Sequence, residues 1–148
     1  MATKRALFSF ILLLAGAMSV PGTAQAQGDI SIQIEKHARL TSDGGVIFTA
    51  RIACGPLPGT EDFREGLAGA FQEKTGAAAE GGLSPDVVCD GVERVYTAGI
   101  SPITEEIFAR GPAGAGVSVI ACNVVGDEQV CISASAERRI IISGRLVT

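Results

Sequence analysis

The 148-residue sequence has no tryptophan, one tyrosine and one histidine. Glycosidases place two carboxylates across a substrate cleft, usually with aromatic platforms, so the scarcity of aromatics argues against that class. A Ser-His-Asp or Cys-His site needs a histidine as base, and His37 is the only one in the chain. His37 lies among charged residues in IEKHARL, which indicates a surface strand position rather than a catalytic base.

Motifs that carry recognisable chemistry are also missing. The chain has no G-x-S-x-G elbow, no P-loop and no H-E-x-x-H pair. It also lacks the D-x-D-x-D-G pattern of a calcium loop. Its acidic residues occur as the neighbours Glu61-Asp62, Glu105-Glu106 and Asp127-Glu128, which is typical of solvated turns. We therefore predict no enzymatic activity, no catalytic residue, no cofactor and no metal site.

One apolar run is long, and it lies at the start of the chain. Residues 6–20 follow the basic pair Lys4-Arg5 and precede Pro21-Gly22 and the small residues AQA at 24–26. This order is typical of a cleaved secretory signal, and the run is shorter than the roughly 20 residues of a membrane-spanning helix. We predict a signal peptide at 1–26, and a secreted protein, extracellular or periplasmic, with no membrane span.

The predicted mature chain, residues 27–148, has the length of a single domain. Without Lys4 and Arg5 it keeps 10 basic and 16 acidic residues and a net charge of −6. A negative surface of this kind argues against nucleic acid and anionic lipid as partners.

The four cysteines have no C-x-x-C pair. This excludes a thioredoxin-type redox site and the close ligand pairs of most structural zinc sites. An even number of cysteines in an exported protein predicts disulfides. We expect Cys54, Cys89, Cys122 and Cys131 to form two of them.

Alternating apolar residues predict strands throughout the chain. In GGVIFTARIAC the residues Val46, Phe48, Ala50, Ile52 and Cys54 share one face, and DISIQIEKHARL alternates in the same way. The turn TSDGG between these segments predicts a hairpin. Short strands separated by Gly, Pro and Asp turns predict an all-β sandwich. The other strand candidates are VERVYTAGI, AGVSVIACNVV, EQVCISAS and RRIIISGRLV.

The segment TEDFREGLAGAFQEKTG fits two periodicities. Phe63, Leu67 and Phe71 recur every four residues, a spacing compatible with both a helix and a strand. Two glycines inside a helix, Gly66 and Gly69, would cost about 1 kcal/mol each relative to alanine. We therefore predict a strand from Leu67 to Lys74.

Two disulfide pairings fit these strands. A hairpin through VVGDE would set Cys122 opposite Cys131 and leave Cys54 for Cys89. The alternative is an inter-sheet Cys54–Cys122 bridge as in antibody domains, with Cys89 joined to Cys131. The chain lacks the tryptophan and the tyrosine corner that accompany that second arrangement.

Four segments resemble a group of small secreted bacterial domains of unknown function, often actinobacterial. These segments are RIACGP, AFQEKTG, VVCDG and IFARGPAGAGVSVIAC. The resemblance implies an immunoglobulin-like antiparallel β-sandwich of about seven strands, and a Cys54–Cys89 bridge. It implies no catalytic residue.

A looser resemblance, in export, acidity and a late hairpin cystine, is to the neocarzinostatin-type apoproteins. Those proteins hold a small apolar ligand in a sandwich cleft and have two local disulfides. Here Cys54 and Cys89 lie far apart in the sequence, which departs from that pattern.

Two functions agree with these features. The first is an extracellular binding or structural module that presents loops or an edge strand to a protein or envelope partner. The alternative is a carrier or inhibitor that holds a small apolar ligand in a cleft. An exposed, uncharged edge strand would favour the first function, and a deep apolar pocket would favour the second.

Overall fold

The computed structural model describes residues 29–145, so the predicted signal peptide lies outside the described residues. The described part of the chain is all-β and contains two disulfides. Its strands are β1 (Ile30–Ile34), β2 (His37–Leu40), β3 (Val46–Cys54), β4 (Thr60–Gln72), β5 (Ala77–Ser84), β6 (Arg94–Pro102), β7 (Gly111–Val125) and β8 (Glu128–Arg145).

The strands form a closed barrel, so the predicted immunoglobulin-like sandwich is wrong. β1 and β2 pair with the two ends of the same edge of β3 and therefore share one position in the barrel. The other edge of β3 pairs with β6, which a two-sheet sandwich would leave apart. Around the barrel the order is β1/β2, β3, β6, β5, β4, β7, β8 and back to β2. Alternation along each strand could not reveal this, because strands of sandwiches and barrels show the same period of two.

One pair of neighbouring strands in the barrel is parallel. Seven positions are an odd number, so up and down directions cannot alternate all the way around a closed ring. The parallel contact is between β2 and β8, where His37 lies beside Ile141 and Leu40 beside Arg145. All other neighbouring pairs are antiparallel.

Large and small side chains together fill the barrel interior. Phe48 and Tyr96 are the largest fully buried side chains. Alanines occupy many of the facing positions, which leaves room for these rings in a barrel of only seven strands. The buried alanines are Ala38, Ala50, Ala68, Ala70, Ala77, Ala79, Ala98, Ala113, Ala115 and Ala121.

Two connections cross the ends of the barrel. Residues 55–59 join β3 to β4 across the end that holds Cys54, called here the upper end, and pass β6 and β5. Residues 103–110 join β6 to β7 across the opposite, lower end, and pass β5 and β4. Each crossover lacks a neighbouring strand, so its backbone polar groups need other partners.

Gln72 holds the lower crossover. Its side chain is fully buried, and its Nε2 donates to the carbonyls of Ala109 (2.8 Å) and Pro112 (3.3 Å). Its Oε1 accepts hydrogen bonds from the backbone N–H of Ala109 (2.8 Å) and from the Thr75 hydroxyl (3.2 Å). The amide thereby uses both donors and both lone pairs. The crossover that it fixes covers the core with the buried ring of Phe108.

Asn123 has the equivalent place at the upper end. Its buried Nδ2 donates to the carbonyls of Leu57 (3.4 Å) and Pro58 (3.0 Å) in the upper crossover. Its Oδ1 accepts from Arg64 Nη2 at 2.7 Å, and Arg64 Nη1 donates to the Cys122 carbonyl at 2.8 Å. Gln72 and Asn123 are the buried polar residues of the described chain, so each end of the barrel is closed through one amide.

Two predicted strand boundaries differ from the structure. A strand was predicted from Leu67 to Lys74, whereas β4 starts at Thr60 and ends at Gln72. At Gly66 an added Cβ would lie 2.7 Å from Leu83 Cδ1, so a larger residue there would require the Leu83 side chain to shift. The segments EQVCISAS and RRIIISGRLV were predicted as two strands, but within the described residues they are joined in the single strand β8, Glu128–Arg145.

Replacing Gln72 by alanine tests the lower crossover. Gln72→Ala leaves the backbone groups of Ala109 and the Pro112 carbonyl without their side-chain partner, so we expect a loss of about 2–4 kcal/mol in the free energy of unfolding. Gln33→Ala removes the same side chain from an exposed position of β1 and should change stability by less than about 0.5 kcal/mol. Urea unfolding measures both variants. Equal, small losses would contradict this role for Gln72.

Candidate interaction site

Most of β8 is unpaired on one edge. Its pairing with β7 runs from Glu128 to Ile142, but its pairing with β2 begins only at Ile141. Among the described strands, no backbone ladder joins β1 to β8. Residues Glu128–Arg139 therefore have no ladder partner on this edge, called here the free edge. β1 packs beside its lower part, where Arg138 Nη1 donates to the Ile34 carbonyl at 2.7 Å.

The direction of the backbone groups along the free edge follows from one hydrogen bond. Ile141 donates its N–H to the Lys36 carbonyl on the side of β2. Backbone groups of successive strand residues point to opposite edges, and the register with β7 has no bulge. The odd-numbered residues from Gln129 to Arg139 thus direct N–H and C=O toward the free edge, while the even-numbered ones bond to β7.

The middle of the free edge lacks the charges, prolines and bulges that usually protect an edge strand. Residues 129–136, QVCISASA, contain no charge, no proline and no glycine. Proteins normally guard such edges with lysine, proline or a bulge, because exposed backbone groups pair with other chains. The charged residues stand at the two ends, with Asp127 and Glu128 at the hairpin turn and Glu137, Arg138 and Arg139 at the other end.

Exposed apolar side chains lie on the outer face of β7 and β4, the two strands that follow β8 around the barrel. Phe63 and Leu67 on β4 are 44% and 51% exposed. Ile120 and Val124 on β7 are also exposed, and cross-strand register brings them diagonally beside the first two. These four residues form a contiguous surface, called here the outer patch.

The predicted cystine Cys122–Cys131 joins β7 to β8 at the level of the outer patch. The two cysteines face each other directly, and Phe63 lies opposite Cys122 on the other side. A two-residue turn, Gly126-Asp127, joins β7 to β8. Gly126 has φ +63°, which the first residue of a tight two-residue hairpin turn of this kind requires. The disulfide and the long ladder together make this hairpin rigid.

The second disulfide joins Cys54 to Cys89 at the upper end, so the antibody-like alternative Cys54–Cys122 does not occur. It attaches the segment after β5 to the end of β3. In that segment the buried Val87 covers the core from above, and Val88 donates its N–H to the Tyr96 hydroxyl at 3.1 Å.

The three pairs of neighbouring acidic residues lie at both ends of the barrel, Glu61-Asp62 and Asp127-Glu128 at the upper end and Glu105-Glu106 at the lower end. Asp62 accepts a hydrogen bond from Gln129 Nε2 at 2.6 Å, which links β4 to the start of the free edge. Glu105-Glu106 lies in the lower crossover, at the opposite end of the barrel from the other two acidic pairs. His37 is exposed at the first position of β2. In residues 29–145, no three or more histidine, cysteine or acidic side chains come together as metal ligands.

Two aspartates have lowered pKa values for local reasons. Hydrogen bonds from Arg94, and then from the backbone N–H of Val92, lower the pKa of Asp90 to about 2. The hydroxyl of Thr41 is the main cause that lowers the pKa of Asp43. A lowered pKa means that the contact is intact above the ordinary aspartate range and is lost as pH falls through the lowered value. Both residues fix turns, and neither faces the free edge.

A groove of about 850 Å³ lies on the lower outer face of β4, β7 and β8. Gly114 and Gly116 form part of its floor, and Phe71 and Arg139 stand at either side in register with Gly114. Its charged lining residues are all exposed. This groove lies outside the barrel, whereas the ligand cleft expected by analogy lay inside a sandwich.

Sequence patterns missed the free edge and the two buried amides. The free edge depends on the difference in length between β8, with 18 residues, and β2, with 4, and on which strands become neighbours. The amides of Gln72 and Asn123 carry a weak signal, since each occupies an inward position of an alternating strand where an apolar residue is expected.

Comparisons with protein-family models, curated proteins and solved structures find no significant match for this chain. In the described residues, no helix is long and apolar enough to cross a membrane.

The two disulfides differ in what they hold, and paired alanine variants test this. The loop closed by Cys122–Cys131 has a sequence separation of 9, and chain entropy gives roughly 2.5 kcal/mol for it. The separation of 35 for Cys54–Cys89 gives about 3.8 kcal/mol. Since the β7–β8 ladder also holds the first loop, we expect Cys122→Ala/Cys131→Ala to lower the melting temperature less than Cys54→Ala/Cys89→Ala. The reverse order would contradict this division.

Proposed function

We propose that this protein is a secreted binding module that takes up an extended segment of a protein partner at the free edge of β8. The partner strand would hydrogen-bond to the odd-numbered residues of the edge and extend the sheet by one strand. The outer patch lies on the outer face of β7 and β4, on the far side of β8 from the added strand. Other parts of the partner, outside the added strand, would contact this patch. No catalytic step belongs to this proposal.

The observation that carries the proposal is the uncharged, unpaired stretch from Gln129 to Ala136. An edge of this length exposes a row of unsatisfied N–H and C=O groups that favour strand addition. The side-chain hydrogen bonds of Gln72 and Asn123 fix the two ends of the barrel, and the cystine Cys122–Cys131 fixes the β7–β8 hairpin. The edge is therefore held in place before a partner binds. Such preorganisation lowers the entropic cost of binding.

The small-ligand alternative is less well supported. The groove over Gly114 and Gly116 is where a ligand would lie, but its charged lining residues are exposed rather than buried. Ligand pockets usually enclose most of the ligand and orient it with a few placed polar groups. The free edge, in contrast, offers a directional set of donors and acceptors.

Proline substitution at Ser133 tests the proposed site. The Ser133 N–H points to the free edge, so Ser133→Pro removes a donor for the partner without removing a bond to β7. Ser133→Ala keeps the N–H and is the matched control. Native mass spectrometry of protein from culture supernatant should show a bound protein with the wild type and Ser133→Ala, but not with Ser133→Pro.

Melting temperatures of both variants must stay close to that of the wild type for this comparison to hold. A protein partner that remains bound to Ser133→Pro would place the interaction elsewhere. A bound small molecule in place of a protein would favour the carrier function.

A further inference from the structure

We propose that the partner segment is basic. It is a short extended stretch of a protein that pairs with the upper part of the free edge and carries lysine or arginine beside the hairpin turn. This inference rests on the proposed function, since it names the chemistry of the strand that the edge takes up. Its grounds are the room beside β8, the charges at the upper end and the side chains along the edge.

β1 limits the added strand to the upper part of the free edge. β1 and β8 both run from the upper to the lower end, and Arg138 Nη1 donates to the Ile34 carbonyl at 2.7 Å. Each strand rises about 3.3 Å per residue, so the start of β1 at Ile30 lies near the level of Ala134. The part of the edge above β1 is therefore Gln129–Ser133, called here the open segment.

Acidic residues lie around the open segment. Asp127 and Glu128 come directly before it at the hairpin turn. Asp62 accepts a hydrogen bond from Gln129 Nε2 at 2.6 Å, and Asp29 precedes β1 at the upper end. All four acidic residues are exposed. A strand that pairs with the open segment would thus have carboxylates close to its upper end.

These carboxylates have no cation of their own. No ion pair within residues 29–145 includes any of them. At the same end of the barrel, Arg94 is paired with Asp90. Arg64 is half-buried there, and its guanidinium donates to backbone carbonyls and to Asn123 Oδ1. The negative charge beside the open segment is therefore uncompensated, so it attracts a basic segment and repels an acidic one.

The side chains of the open segment set the pattern of the partner. Val130 and Ile132 are half-buried on the inner face, whereas Cys131 and Ser133 are exposed on the outer face. Side chains of an added strand alternate in the same way, and neighbours on one face contact each other. The partner segment should therefore alternate apolar residues, directed to the inner face, with small or polar residues.

A second edge at the upper end shows why the open segment is the one that takes up a strand. β4 pairs with β5 only from Leu67 to Gln72, so Thr60–Gly66 has no ladder partner on that side among the described strands. This stretch, TEDFREG, contains four charged residues, and charges of this kind guard an edge against pairing. The open segment has no such guard, and its charges lie beyond its end.

Peptide binding to the exported protein, measured by fluorescence polarisation, tests the inference. Two peptides with blocked termini contain alternating valine and threonine and carry a pair of lysines, one at its N-terminal end and the other at its C-terminal end. Glutamate replaces lysine in their matched controls. An added strand runs either parallel or antiparallel to β8, so one of the lysine peptides brings its charges to the turn. We expect that peptide to bind roughly tenfold or more tightly than its glutamate control, and more weakly as salt rises.

Variants of the protein locate the contact. Asp127→Asn/Glu128→Gln should raise the Kd of that lysine peptide roughly fivefold. Asp86→Asn/Glu93→Gln makes the same change in charge at the same end of the barrel, between β5 and β6, and should change the Kd by less than about twofold. Ser133→Pro should abolish binding, whereas Ser133→Ala should not. Circular dichroism and melting temperature show that each variant is folded.

Four results overturn the inference in distinguishable ways. Equal binding of lysine and glutamate peptides that is lost in Ser133→Pro keeps strand addition but excludes a basic partner. An unchanged Kd in Asp127→Asn/Glu128→Gln places the charge contact elsewhere. Lysine peptides that still bind to Ser133→Pro are held by charge without an added strand. If no peptide binds to the wild type, the edge takes up no strand, and the proposed function fails as well.

Discussion

The parallel contact between β2 and β8 is the interaction on which the rest of the structure depends. It closes a ring of seven strands, and an odd ring requires one parallel pair. β2 offers only the 4 residues His37–Leu40 for this contact, whereas β8 has 18 residues. Closure therefore ends at Ile141, and the first two-thirds of β8 keep one unpaired edge. The candidate site is thus a direct result of how the barrel closes.

The closed barrel also needs its two ends held by contacts other than strand pairing. Both crossovers leave backbone groups without strand partners, and the side chains of Gln72 and Asn123 supply those partners. These two residues lie on the adjacent strands β4 and β7, at opposite ends of the barrel. The Cys54–Cys89 disulfide adds a third fixed point above the core. Rigid ends allow the edge of β8 to stay exposed without loss of the core.

Local patterns predicted the local structure well. Alternation identified the strands around Phe48 and Tyr96, and the Gly126-Asp127 turn placed Cys122 opposite Cys131. The choice between sandwich and barrel depends on pairs such as β3 with β6, whose residues are about 50 positions apart in the sequence. Alternation carries no information on which distant strands become neighbours. The free edge could not be predicted for the same reason. It exists because β2 pairs only with the end of β8, and because β1 forms no ladder with β8.

Residue-resolved amide hydrogen exchange along β8 tests the central claim that closure stops at Ile141. The account predicts an alternation: the amides of Cys131, Ser133 and Ser135 exchange rapidly, whereas those of Ile132 and Ala134, which bond to β7, are protected roughly a hundredfold or more. Uniform protection of both sets would mean that β1 pairs with β8 along its length, and it would contradict the account.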